Sequence, residues 1–402
     1  MSKRYQGGIL GVGFNPLQAP NAPTIGTASV ASATSVSVAF TAPANVGGSA
    51  ITGYTARSNP SDFGGAAACS PVTVSGLSTG TAYTFGAFAL NTYGPSPISA
   101  FSNSVTPTDG TVGIFALGAS PGISTTRNKY TYAGDAVSAG GAATVASYTG
   151  SAAGNSTVGI FALGAGGCGV LTTRNKYTYS GCVVSAGGAA TVASYEGSAA
   201  GNSTVGIFAL GTNSVCAALT TRNKYTYSGC VVAAGGAATV ASKTGAATGN
   251  STVGIFALGR NNAGTVLTTR DKYTYSGDVV GSATAATVAS FNGSAAGNST
   301  TGIFALGRNN AGTKVTTRDK YTYSGCVVSA GGAATTASCA GSAAGNSTVG
   351  IFALGITAAG PSGTTTRDKY TYSGCVVSAG GAATAASYAG SATSNGIAGV
   401  TL

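Results

Sequence analysis

The chain has no histidine, no tryptophan, one methionine and only eight acidic residues among 402. Each scarcity closes off a class of function. Without histidine there is no side chain that exchanges a proton near neutrality, and the nitrogen donors of zinc sites are missing. The eight cysteines contain no C-x-x-C pair, so no metal site and no cofactor are expected. In the second part of the chain the carboxylates are Asp135, Glu196, Asp271, Asp278, Asp319 and Asp368, with no convergent pair for acid–base or glycosidase chemistry. The chain reads as non-enzymatic. Charged residues make up 7%, and no Lys/Arg run or basic cluster interleaved with aromatics accompanies the net charge of +11, which argues against a nucleic-acid partner. No stretch approaches ~18 apolar residues, so no membrane span is expected. The opening residues lack the apolar core of a secretory signal, which predicts a product made and left in a cytoplasm.

What is abundant is small or β-forming. Glycine occurs 65 times and tyrosine 19 times, and apolar residues are 43% of the total. Val, Thr, Tyr and Phe favour pleated surfaces, so the fold class expected is all-β. Three regions stand apart. Residues 1–19 form a glycine-rich arm whose apolar set, Ile9, Leu10, Val12, Phe14 and Leu17, is the expected anchor: glycines between them let a backbone lie against a partner and add a strand to it. Residues 20–109 alternate apolar and polar positions in "SVSVAFTAP" (35–43), "AITGYTARS" (50–58), "PVTVSGL" (71–77) and "TAYTFGAFALN" (81–91), a sandwich pattern. With "GLSTGTAYTFGAFALNTYGPSP" this region resembles a fibronectin type III module. The resemblance implies a tyrosine corner made by Leu77 and Tyr83, with Phe40 where that family often carries a core tryptophan.

From residue 110 the chain repeats. "GIFALG" begins at Gly113, Gly159, Gly206, Gly254, Gly302 and Gly350. Each unit reads as four strands, "TVGIFALG", "TTRNKYTYS", "CVVSAG" and "AATVASYEG", closed by "SAAGNS". The apolar strand ending in glycine and the "KYTYSG" strand ending in tyrosine resemble kelch repeats. That resemblance implies a six-bladed kelch-like β-propeller over residues 110–402, with 383–390 completing the first blade and 395–402 left without a slot. "GNST" at Asn155, Asn202, Asn250, Asn298 and Asn346 matches a glycosylation sequon, but a positive-φ hairpin turn is the stronger reading.

One phrase gathers most of the cations. Arg127/Lys129, Arg174/Lys176, Arg222/Lys224, Arg270/Lys272, Arg318/Lys320 and Arg367/Lys369 hold 12 of the 19. On a strand, Arg174 and Lys176 share one face while Tyr177 and Tyr179 share the other, where packing between units is expected. The cations admit two readings: braces between neighbouring units, or a basic rim that binds an acidic surface. Cys182, Cys230, Cys326 and Cys375 share a repeat position with Asp135 and Asp278; reduced thiols are expected there, with Cys168 and Cys216 the conceivable disulfide partners. The loops after "GIFALG" ("ASPGIS", "AGGCGVL", "TNSVCAAL", "RNNAGTVL", "RNNAGTKV", "ITAAGPSG") differ from unit to unit, which fits either a recognition surface or drift at exposed turns.

A fibronectin-like module beside Gly/Ala/Ser/Thr-rich repeats resembles structural proteins of tailed bacteriophages. This resemblance implies a non-enzymatic virion component (tail fibre, neck or capsid appendage), present in multiple copies and located in the virion after synthesis in the host cytoplasm. Its partners would be other virion proteins, through the arm, and a host-surface glycan or lipopolysaccharide. The alternative is a bacterial surface or secreted glycan-binding kelch-like module.

Overall fold

The computed structural model describes residues 17–32, 34–78, 81–107, 111–120, 122–167, 169–357 and 362–396. Two compact units emerge, Met1–Thr108 and Asp109–Leu402.

The first unit is a sandwich. β1 (Thr24–Ser32), β2 (Ser35–Thr41) and β5 (Val72–Ser75) form one sheet; β3 (Gly53–Asn59), β4 (Gly64–Ala67), β6 (Thr84–Asn91) and β7 (Gly94–Pro95) form the other. Alternation does what the sequence demands: Val36, Val38 and Phe40 of β2 are buried against Tyr54 and Ala56 of β3 and Phe85, Ala87 and Ala89 of β6. The Phe40 ring sits 4.7 Å from that of Tyr54. At the corner, the Ser78 N–H donates to the Tyr83 hydroxyl at 3.1 Å above buried Leu77. Beyond β6 the chain runs along its edge, where the Ser96, Ser99 and Ser102 hydroxyls accept from the N–H groups of Ala89, Ala87 and Phe85. Serines every third residue thus pair that edge twice, since their own N–H groups donate to the carbonyls of the same three residues.

The second unit is not the six-bladed kelch-like β-propeller expected from its repeats. It is a series of small, sandwich-like sheet pairs. Each repeat builds one four-stranded antiparallel sheet, for example Ser151–Gly154, Val158–Ala162, Arg174–Thr178 and Val183–Ala186 in that order. A second, smaller sheet joins the end of "AATVASY" to the next variable loop, as Ser194–Tyr195 does with Thr212–Asn213. The expectation failed at the fourth strand. "AATVASYEG" gives only two residues to pairing, and these lie in the small sheet. "SAAG", read from sequence as turn, is instead a buried strand. Likewise residues 383–390 do not complete the first sheet; Ser391–Ser394 does, pairing with Val112–Ala116. Asn395 accepts from Val112 N–H at 2.8 Å, and residues 397–402 lie outside the described part.

Small residues win that position because neighbouring sheets stack closely. A Cβ on Gly254 would lie 3.1 Å from the Ala200 Cβ and 2.9 Å from the Tyr275 hydroxyl. Strand propensity is overridden by this spacing. The "GNST" asparagines act in turns, though without positive φ. Asn155 Oδ1 accepts from Thr157 N–H and Oγ1–H and from Val158 N–H, while its Nδ2 donates to the Ser203 carbonyl of the next unit at 2.9 Å. Both ends of the amide are engaged.

Candidate functional site

The repeated arginines do not form a rim. Arg127, Arg174, Arg222, Arg270, Arg318 and Arg367 are at most 2% exposed. Each follows a strand whose Ile-bearing face meets the next unit, and each lays its guanidinium on that unit's phenylalanine: Arg174 on Phe208 at 4.7 Å, Arg222 on Phe256 at 4.6 Å. Each then donates to the residue after the next unit's arginine. Arg127, Arg174 and Arg367 reach Asn175, Asn223 and Asn128. Arg222, Arg270 and Arg318 form buried ion pairs with Asp271, Asp319 and Asp368 at 2.7–2.8 Å. Burial pulls Arg127, Arg174 and Arg367 down to about 10, since no carboxylate meets their charge. The arginines are braces.

The lysines are half-buried and point the same way. Lys224 pairs with Asp278 at 3.0 Å and Lys369 with Asp135 at 2.9 Å. Lys272 and Lys320 approach Cys326 and Cys375, which occupy the same repeat position, at 4.0 and 3.8 Å. Lys129 and Lys176 share this strand position. All seven described cysteines are free; Cys168 lies outside the described residues. Of the anchoring arm, Ile9, Leu10, Val12 and Phe14 also lie outside; Leu17 is exposed, and Gln18 is already hydrogen-bonded to Gly47.

Tyr130, Tyr177, Tyr225, Tyr273, Tyr321 and Tyr370 fill the same junctions, and burial raises the hydroxyl of each above its ordinary 10.0. A raised folded value means that stability is complete below the unfolded value and is lost as pH climbs past it. The depressed arginines oppose this above about 10, but further buried tyrosines, Tyr179, Tyr227, Tyr275 and Tyr323, shift upward as well. We expect the tyrosinate absorbance of these residues to appear in one cooperative step, together with loss of β circular dichroism, above pH 10. Gradual ionisation with the fold intact would contradict their burial.

Sequence differences between units collect elsewhere. The main-sheet strands are near copies, "VGIFA" in five units and "TGIFA" in the fifth, with "R(N/D)KYT" throughout, whereas the small-sheet pairs read Ser-Tyr, Ser-Tyr, Ser-Lys, Ser-Phe, Ser-Cys and Ser-Tyr. The residues immediately after them, Thr149, Glu196, Thr244, Asn292, Ala340 and Ala389, all have φ between 51° and 57°. Each donates its N–H to the carbonyl of its counterpart one unit back, and Thr149 donates to Ala389, so six bonds of 2.7–2.9 Å return to their start. Positive φ at β-branched threonine is strained backbone, held because both neighbours dictate it. These residues, with Tyr148, Tyr388 and Ile356, line a cavity of about 250 Å³. Glu196 is its single carboxylate and accepts from Thr212 Oγ1–H at 3.1 Å. Sequence reasoning found the variable loops but missed this cavity, since its wall consists of backbone, glycines and a position that holds Thr, Glu, Asn or Ala from unit to unit.

Residues 21–105 are a fibronectin type III domain, matching the family model over that range. Among solved structures the chain is similar to domains A168–A170 of titin, with 29% identity over 22% of this chain and 32% of that one and a TM-score of 0.21. It is also similar to the twitchin kinase region of C. elegans, with 24% identity, coverage of 22% and 17%, and a TM-score of 0.21. The chain thus spans well under two thirds of the length of either. No curated protein matches the sequence.

Proposed function

We propose that this is a non-enzymatic structural protein of a tailed-bacteriophage virion, carried in multiple copies, whose repeat unit contacts the host surface through the variable face. The observation that carries the binding role is the placement of variation: near-identical sheets present differing residues around one strained, cavity-bearing face. The virion assignment is supported by the resemblance of a fibronectin module joined to Gly/Ala/Ser/Thr-rich repeats to phage structural proteins. A lone carboxylate at the cavity and the lack of histidine favour binding over catalysis. In this reading the arm, residues 1–19, attaches the protein to other virion components, with exposed Leu17 as its described apolar contact.

Immunogold labelling of purified particles and adsorption in the presence of the isolated protein test this. The expected result is decoration of an appendage and competition for host cells by the intact protein, weakened by Tyr148→Ala with Tyr388→Ala. Particles without label, with label on bacterial envelopes, would replace the virion reading with a cell-surface one.

A further inference from the structure

We propose that Lys243, Arg260, Arg308 and Lys314 form one anion-binding row on the variable face, and that its ligand is an acidic glycan. The inference rests on reading that face as the binding surface. These four cations lie outside the repeated Arg–Lys phrase. In the small sheets Lys243 stands directly opposite Arg260, and Arg308 directly opposite Lys314. Like charges in directly opposed cross-strand positions repel, so each pair weakens a two-stranded sheet that has few other bonds. The two pairs are continuous. The Arg260 guanidinium lies 3.5 Å over the Phe291 ring, and Phe291 is the register partner of Arg308.

No acid among the described residues lies within ion-pair distance of them. Among the described residues, the ion pairs of Asp62, Asp135, Asp271, Asp278, Asp319 and Asp368 are all with other cations. Glu196 accepts from Thr212 Oγ1–H and lines one small recess with Lys243, without an ion pair between them. The contacts that the row does make orient it without cancelling charge: Arg308 Nε–H donates to Cys339 Sγ at 3.2 Å, and Lys314 Nζ donates to the Thr357 carbonyl. The Arg260 Nε–H is buried without an acceptor. Two opposed like-charge pairs kept in a protein with so few charges are accounted for by an anion that bridges them.

The cavity decides the kind of anion. Thr244 and Asn292 line it and directly follow Lys243 and Phe291 in the chain, so row and cavity adjoin. Hydroxyl, amide and tyrosine groups around about 250 Å³ suit a sugar ring. The Glu196 carboxylate disfavours a charge entering there. A ligand with a neutral, hydroxyl-rich ring beside a carboxylate or phosphate satisfies both halves; a strand bearing phosphate on every residue does not.

Calorimetric binding of the full-length protein to sialyllactose, phosphorylated oligomannose, neutral maltooligosaccharide and oligo-dT tests this. Expected is salt-sensitive binding of one or both acidic saccharides, weakened about tenfold or more by K243Q/R260Q/R308Q/K314Q, with little binding of the neutral one. Preference between the two acidic probes tells carboxylate from phosphate. K243Q/K314Q removes one cation from each opposed pair, so its thermal midpoint without saccharide should equal or exceed that of the parent. No binding of either acidic saccharide, or tighter binding of oligo-dT, overturns the proposal. Acidic-saccharide binding that survives the fourfold variant but is lost in Y148A/Y388A removes the cation row while leaving the face as the binding surface. Binding that survives both sets removes the face as well.

Discussion

Asp271→Ala will destabilise the repeat unit by about 3–5 kcal/mol, the cost of leaving one member of a buried ion pair without its counterion. Both side chains of the Arg222–Asp271 pair are fully buried at 2.8 Å, and the same carboxylate accepts from Thr239 N–H and Oγ1–H. The chain contains its own control. At the junction one unit earlier, Asn223 takes the place of Asp271, receives Arg174 at 3.0 Å and bonds Thr191 instead of Thr239. Asp271→Asn therefore recreates an arrangement that this fold already tolerates and should recover most of the loss. Asn223→Ala should cost about 1–3 kcal/mol, the range for an orphaned buried hydrogen-bonding group. Urea midpoints for the three variants check the order. An Asp271→Asn variant as damaged as Asp271→Ala would show that the carboxylate's charge, rather than its hydrogen bonds, holds the junction.

Tyr225→Ala should cost a comparable ~3–5 kcal/mol through a cavity at the interface of two units. Its ring is fully buried with Phe208 and Tyr227 of its own unit and Ile160 and Val158 of the preceding one. The Phe208 centroid lies 6.4 Å away, edge to face. Tyr225→Phe keeps the ring and should stay within about 1 kcal/mol, because volume-conserving swaps are tolerated best. A Phe variant as weak as the Ala variant would shift the role from the ring to the hydroxyl.

Much of the first unit was legible because its physics is local to each strand. Alternation in "SVSVAF" and "TAYTFGAFALN" names the buried faces before any pairing is known, and Leu77 and Tyr83 sit where a corner needs them. In the repeats, the placement of Tyr177 and its counterparts between units followed from the same period of two. The opposite face left two readings open, brace or rim, and only the stacking of units decided between them: the next unit's phenylalanine and asparagine cover the arginine, while the lysine two residues on stays half-exposed. The kelch-like blade failed for a related reason: "SAAG" has poor strand propensity, and only the close stacking of neighbouring sheets makes it a strand while "AATVASY" is turned aside into a second sheet. The cation row was overlooked because Lys243, Arg260, Arg308 and Lys314 lie up to 71 residues apart and meet only through register.

The sequence by itself determined an all-β chain, a fibronectin type III domain near its start, six repeats, and tyrosines packed between them, since period and composition act over a few residues. Tertiary structure alone decided which short segments became strands, which cations were buried and which stayed opposed without an acid, and where one variable position from each of six units met around one cavity. Those outcomes depend on distances between units that no local pattern encodes.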